Sequence, residues 1–236
     1  MSAHFIEKHR GKILPVCARP GMGTTSLVLQ IADFYAESTN KTVVFFSARL
    51  AKEEIIGRIA CQRLSLDYYR DVKRNLLPEE MQNWFEQEKD NIAQSKLRIV
   101  ETADLTSEDI KQLVRSIGNI GLVVVDDLDG FENKVSVSEL EEMAEEMNVP
   151  LLTTCGVRRI VDFRISKLPK RKDIKIKELS KEETVYFLFR SSYYTINAEE
   201  SEAILIVDSG TRRKVPLQWK QSMAFGSLPQ IKTDKI

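Results

Sequence analysis

The segment Ala18-Arg19-Pro20-Gly21-Met22-Gly23-Thr24-Thr25 follows a short apolar run, Ile13–Val16, and leads into a helical pattern. Glycines between a strand and a helix start turn successive backbone N–H groups toward one point, and that nest receives a phosphate with a helix N-terminus behind it. In the pattern G-x-x-x-x-G-K-[ST] a lysine then reaches the outer phosphates and the next hydroxyl holds Mg²⁺. Here Thr24 stands in the lysine's place. Arg19, Pro20, Gly21, Met22, Gly23, Thr24, Thr25 and Ser26 are therefore the candidate nucleotide or phosphate site, with Thr25 its metal-binding hydroxyl. The missing lysine removes a charge-assisted contact worth about 1.5–3 kcal/mol. It also removes part of the charge stabilisation on which phosphoryl transfer depends, so binding and hydrolysis become separate questions. A simple strand-to-helix turn with no ligand is the competing reading of the same glycines.

The run Gly121-Leu122-Val123-Val124-Val125 ends in Asp126 and Asp127. A buried strand ending in carboxylates has the form of a Walker B strand, whose acid helps to hold Mg²⁺. Asp126 thus pairs with Thr25 as the candidate metal set, conditional on nucleotide binding. Read alone, Asp126-Asp127-Leu128-Asp129-Gly130 is also an ordinary solvated turn. The glycine loop upstream in the same chain is what favours the first reading.

These groups must be positioned by an α/β scaffold. Apolar, β-branched runs at Ile13–Val16, Thr42–Phe46, Leu97–Val100, Leu122–Val125, Leu151–Thr154, Val185–Phe189 and Ile204–Val207 read as strands covered on both faces. Helical patterns lie between them near Thr24–Ala36, Lys52–Leu66, Glu79–Ala93, Ser107–Ile117 and Ser138–Met147. That alternation predicts a mainly parallel sheet flanked by helices. Beyond Leu151 the helical patterns stop, and Thr184–Arg190, Ala203–Val207 and Lys214–Lys220 read as hairpin-type additions at one sheet edge. The predicted organisation is an N-terminal tail over 1–11, one domain over 12–228 and a C-terminal tail over 229–236.

The 236 residues carry 35 basic and 35 acidic side chains, so no global charge draws the chain to nucleic acid or to an anionic membrane. Any such attraction has to be local. Cys17, Cys61 and Cys155 stand apart, and His4 and His9 are the only histidines, which suggests neither a zinc site nor a disulfide framework. No apolar run approaches the roughly 20 residues that span a bilayer, and the composition fits a reducing cytoplasm.

With the two motifs in place, the chain resembles the C-terminal motor domain of DnaB-type replicative helicases, a RecA-like fold. Ala18-Arg19-Pro20-Gly21-Met22-Gly23-Thr24-Thr25 is close to that family's ARPSMGKT, and Phe46-Ser47-Ala48-Arg49-Leu50 falls where it has F-S-L-E-M. Glu146–Leu151 resembles its E-L-x-V-P-V, and Glu183–Tyr194 its D-I-V-A-F-L-Y-R-D-D-Y-Y. The resemblance covers nearly the whole chain. It implies ATP or ADP with Mg²⁺ as the cofactor, a role in DNA replication, contact with single-stranded DNA, and a replicative helicase or loader, or further copies of this chain, as partner.

The departures fall where such motors do their chemistry. Arg49 stands at the position of the glutamate that activates water, and an arginine cannot accept a proton. Gly156 replaces a polar sensor glutamine, and Asp208-Ser209-Gly210 falls at the arginine-finger motif, with Arg212 and Arg213 just beyond. These departures leave no residue to name as catalytic. Arg164 to Lys177 carries seven basic residues against one acid, where the resemblance places a DNA-facing loop. Arg158, Arg159, Arg164, Lys167, Lys170, Arg171, Lys172, Lys175 and Lys177 are accordingly the DNA-binding candidates, against the plain alternative of a solvated surface.

Three functional readings follow. The leading one is a replication-associated nucleotide-binding fold that has lost most or all ATPase and helicase activity and acts as a binding module on DNA or on a helicase. The second is a working ATP-dependent helicase with displaced catalytic groups. The third is a protein–protein module that binds no nucleotide.

Overall fold

The computed structural model describes residues 3–101, 103–131, 135–194, 202–220 and 222–227. Among the described residues nine strands form one sheet: β1 (Ile13–Ala18), β2 (Thr42–Ser47), β3 (Leu97–Glu101), β4 (Ile120–Asp126), β5 (Leu151–Gly156), β6 (Val185–Phe189), β7 (Glu202–Asp208), β8 (Arg212–Trp219) and β9 (Phe225–Ser227). Their spatial order is β3-β2-β4-β5-β1-β6-β7-β8-β9. The helices are α1 (Ala3–Glu7), α2 (Thr24–Thr39), α3 (Lys52–Leu64), α4 (Glu79–Gln94), α5 (Ser107–Ser116) and α6 (Val137–Met147).

The apolar runs alternate between two cores because successive strand residues point to opposite faces. Leu14, Val16, Val43, Phe45 and Leu122 pack with α2 and α3 on one side. Cys17, Val44, Phe46, Val123 and Val125 pack with α5 and α6 on the other. Double coverage explains why β1 and β4 are buried along their full length. Helix α5 is started by a capping box, in which Thr106 accepts from the Asp109 N–H and Asp109 accepts from the Thr106 N–H.

One expectation is revised. Residues 184–190 are not a hairpin addition: β6 joins the sheet parallel to β1, with Val16 opposite Tyr186, and among the described strands the antiparallel pairs are β6–β7, β7–β8 and β8–β9. An uninterrupted apolar run reads the same in either direction, so direction is set by where the preceding segment returns the chain. The residues expected as an N-terminal tail include α1, whose Ile6 is buried and whose Glu7 accepts from Lys41 Nζ at 2.7 Å. The expected C-terminal tail, 229–236, lies outside the described residues.

Strand β5 lies between β1 and β4, so the carboxyl ends of these three strands open on one crevice. Ligands of open α/β sheets bind at such ends.

Candidate functional site

The loop between β1 and α2 delivers its backbone into that crevice. Gly21 and Gly23 have φ of +84° and +96°, values that side chains rarely tolerate. Gly23 also caps α2 without side-chain help, leaving the first helical N–H groups turned toward a ligand position. Above it a Cβ would come within 2.9 Å of Trp219 and 3.2 Å of Phe225, so β8 and β9 close directly over the bend. Met22 anchors the loop from below: it is buried, and its Sδ accepts the Arg190 N–H at 3.2 Å.

Thr25 and Asp126 meet. The Thr25 hydroxyl donates to Asp126 Oδ1 at 3.2 Å, and Thr154 on β5 donates to the same oxygen at 2.5 Å. Asp126 is 4% exposed, and burial pushes its carboxyl up to about 6, partly offset by the two hydroxyls. The neighbouring carboxylate has a different partner, since Asp127 accepts from Arg49 Nε at 2.8 Å. The peptide bond between the two aspartates is cis.

In front of the loop lies a cavity of ≈ 270 Å³ lined by Arg19, Thr24, Thr25, Arg49, Asp127 and Lys175 among others. Its three cations each already have a carboxylate. Arg19 makes a two-pronged pair with Asp162, at 3.1 and 3.0 Å, and donates to the Val157 carbonyl at 2.9 Å. Asp127 and its neighbouring Asp126 and Asp129 hold the Arg49 guanidinium above its ordinary range, with the Asp127 hydrogen bond the main cause. Lys175 pairs with Asp129 at 3.1 Å, and Asp129 also accepts the Gly156 N–H at 2.8 Å. At this site the cavity's cations are balanced by the chain itself.

The basic candidates divide by placement. Arg171 is structural: it donates to Asp208 Oδ1 at 2.8 Å and to the Ser180 and Glu182 carbonyls at 3.1 and 2.5 Å. Arg164 pairs with Asp173, and Lys167 donates to the Asp162 carbonyl while lying over the Tyr194 ring. Arg158, Arg159, Lys170, Lys172 and Lys177 are exposed. Lys175 belongs to the same basic run, yet the fold turns it into the cavity. Asp208 is likewise occupied, by Arg171 and by Arg212, which also donates to the Pro169 carbonyl at 2.6 Å.

Lys175, Asp129 and Trp219 are residues whose place at the site the sequence did not reveal. No local pattern announces them, because they reach the crevice through tertiary packing. Cys17 and Cys155, isolated in sequence, are register partners on β1 and β5. Their mutual contact and burial push the Cys17 thiol well up, which keeps it protonated rather than nucleophilic.

A sequence profile of the DnaB-like helicase C-terminal domain matches residues 7–226. The chain belongs to this family. Among curated relatives, it is 26% identical over 215 residues to the replicative DNA helicase DnaB of Geobacillus stearothermophilus, covering 84% of this chain and 47% of that protein. It is 25% identical over 224 residues to the replicative DNA helicase DnaC of Bacillus subtilis (strain 168), covering 88% of this chain and 48% of that one. The chain thus spans about half the length of these relatives. The fold agrees: a DnaB-like replicative helicase, solved in a study of its interactions with primase, superposes with a TM-score of 0.80 at 21% identity, over 94% of this chain and 58% of that one. The RadB recombinase, at 0.57 and 12% identity over 94% of this chain and 92% of that one, marks the RecA-like class. The mainly parallel sheet with antiparallel strands at its C-terminal side is therefore the DnaB-type form of that fold. No helix among the described residues is long and apolar enough to cross a membrane.

Proposed function

We propose that this DnaB-like domain binds a Mg²⁺–nucleotide in the loop cavity, hydrolyses it poorly or not at all, and serves DNA replication as a binding module. The carrying observation is the division of the site into a kept half and a lost half. Kept are the glycine nest and the Thr25–Asp126 pair at 3.2 Å, an oxygen donor set of the kind Mg²⁺ prefers. Lost are the lysine at Thr24 and any free carboxylate at position 49, where Arg49 ties up Asp127 instead.

These residues fit the ligand: loop N–H groups for the phosphates, Thr25 and Asp126 for the metal. Bound Mg²⁺ would supply charge neutralisation at the phosphates. Among the described residues, no cavity group is both a free base and positioned beside the loop, so the attacking water lacks its proton acceptor.

Exposed Arg158, Arg159, Lys170, Lys172 and Lys177 support contact with a nucleic-acid backbone, and the family supports a replicative helicase, its loader or another copy of this chain as partner. Steady-state phosphate release from Mg·ATP tests the enzymatic part. The expected rate equals that of the Asp126→Ala variant; release well above that background, lost in the variant, overturns the reading.

A further inference from the structure

Thr24 leaves the phosphate cradle without its lysine, yet the cavity is not without a lysine. Lys175 enters from the opposite wall, on the segment that follows β5, and its ammonium lies 3.1 Å from Asp129 Oδ2. The room for it is made at Gly156. A Cβ there would lie 2.4 Å from Asp129 Oδ2 and 2.8 Å from the Lys175 Nζ, so a side chain at this position would evict the pair. Backbone bonds fix the approach, since the Lys175 N–H donates to the Gly156 carbonyl at 3.0 Å and Ile174 bridges to Val157.

The geometry points to Lys175 as the displaced phosphate-binding lysine of this site, exchanging the Asp129 carboxylate for the outer phosphates of a nucleoside di- or triphosphate. The inference rests on the nucleotide-binding reading above and names the residue that makes it work. The pair is built to be exchanged. The Lys175 side chain is 46% exposed while Asp129 is 11% exposed, so the acid is fixed and the lysine is the mobile partner. A solvent-screened ion pair contributes little, whereas an ammonium on a multiply charged phosphate gains a stronger charge-assisted bond. Asp129 keeps the Gly156 N–H at 2.8 Å when the lysine leaves, so it is not stranded. Asp129 is accordingly a competitor for Lys175, and ligand must displace it.

Opposite signs at the two residues provide the test. Equilibrium titration with Mg·ATP, Mg·ADP and AMP is run on the full chain and on the Lys175→Met and Asp129→Asn variants, with thermal unfolding to confirm that each folds. Lys175→Met is expected to weaken Mg·ATP and Mg·ADP about tenfold or more and to leave AMP little changed, because only the outer phosphates meet the ammonium. Asp129→Asn is expected to tighten Mg·ATP severalfold, since an amide no longer competes for the lysine. A double variant, Lys175→Met with Thr24→Lys, should regain the lost affinity by restoring an ammonium at the other wall. If the unaltered chain binds none of the three nucleotides, the nucleotide-binding reading itself is overturned and this assignment with it. If it binds Mg·ATP and Lys175→Met binds equally well, the assignment alone is overturned. Weakening by both variants also overturns it, as that is the signature of a merely structural pair.

Discussion

Replacing Asp126 by asparagine should stabilise the fold in a strongly pH-dependent way. Asp126 titrates near 6 in the folded chain and near its ordinary 3.8 when unfolded, chiefly because burial disfavours the charged form. A carboxyl raised by folding holds its proton more tightly in the native state, so the native state loses stability as pH climbs from about 4 through 6, and the loss is complete above that. Two pH units correspond to about 3 kcal/mol. Asparagine has no charge to bury, and both hydroxyl donors, Thr25 and Thr154, fall on the single oxygen Oδ1, which the amide oxygen can replace. The variant should therefore gain up to about 3 kcal/mol at pH 8, about 6–12 °C in Tm for a domain of this size, and almost nothing at pH 4. Denaturant unfolding at the two pH values measures it directly. An equal gain at both, or a loss at pH 8, would refute the burial argument. The gain should come at the expense of Mg²⁺, since a neutral amide is a poor partner for that ion.

Further outcomes follow from the geometry. Thr24→Lys should raise Mg·ATP affinity about tenfold while phosphate release stays at background, because Arg49 still leaves water without a base; titration and release assays on one preparation show both. Gly23→Ala should cost about 1–3 kcal/mol in denaturant unfolding, and pairing it with Trp219→Ala should recover only part, because the φ of +96° remains. Arg171→Ala should destabilise by about 1–3 kcal/mol in the same assay, because the Ser180 and Glu182 carbonyls lose their donor while Asp208 keeps Arg212. Lys172→Ala should leave unfolding unchanged within about 0.5 kcal/mol and lower the salt slope of single-stranded DNA binding by about 0.7.

What could be seen in the sequence was whatever depends on short-range pattern. The loop glycines, the Asp126 strand and the α/β alternation are written in neighbouring residues, whereas the hydrogen bond from Thr25 to Asp126 is made only by the fold. Strand direction at β6 was not legible, because Val185–Phe189 is buried on both faces and carries no polar alternation. The short strand β9, which closes over Gly23, has only three residues and no periodic signal. Lys175 and Arg171 looked alike within one basic run, yet one lines the cavity and the other holds Asp208. Charge runs reveal composition, whereas burial and partners decide role.

The most direct measurement is calorimetric titration of the full chain with Mg·ATP, with the nucleotide recovered and analysed after hours at equilibrium. Saturable one-site binding that Thr25→Ala weakens is expected, with the ATP returned intact. Absence of binding heat at any accessible concentration, or recovery of ADP and phosphate well above the amount formed by the Asp126→Ala variant, would contradict this reading.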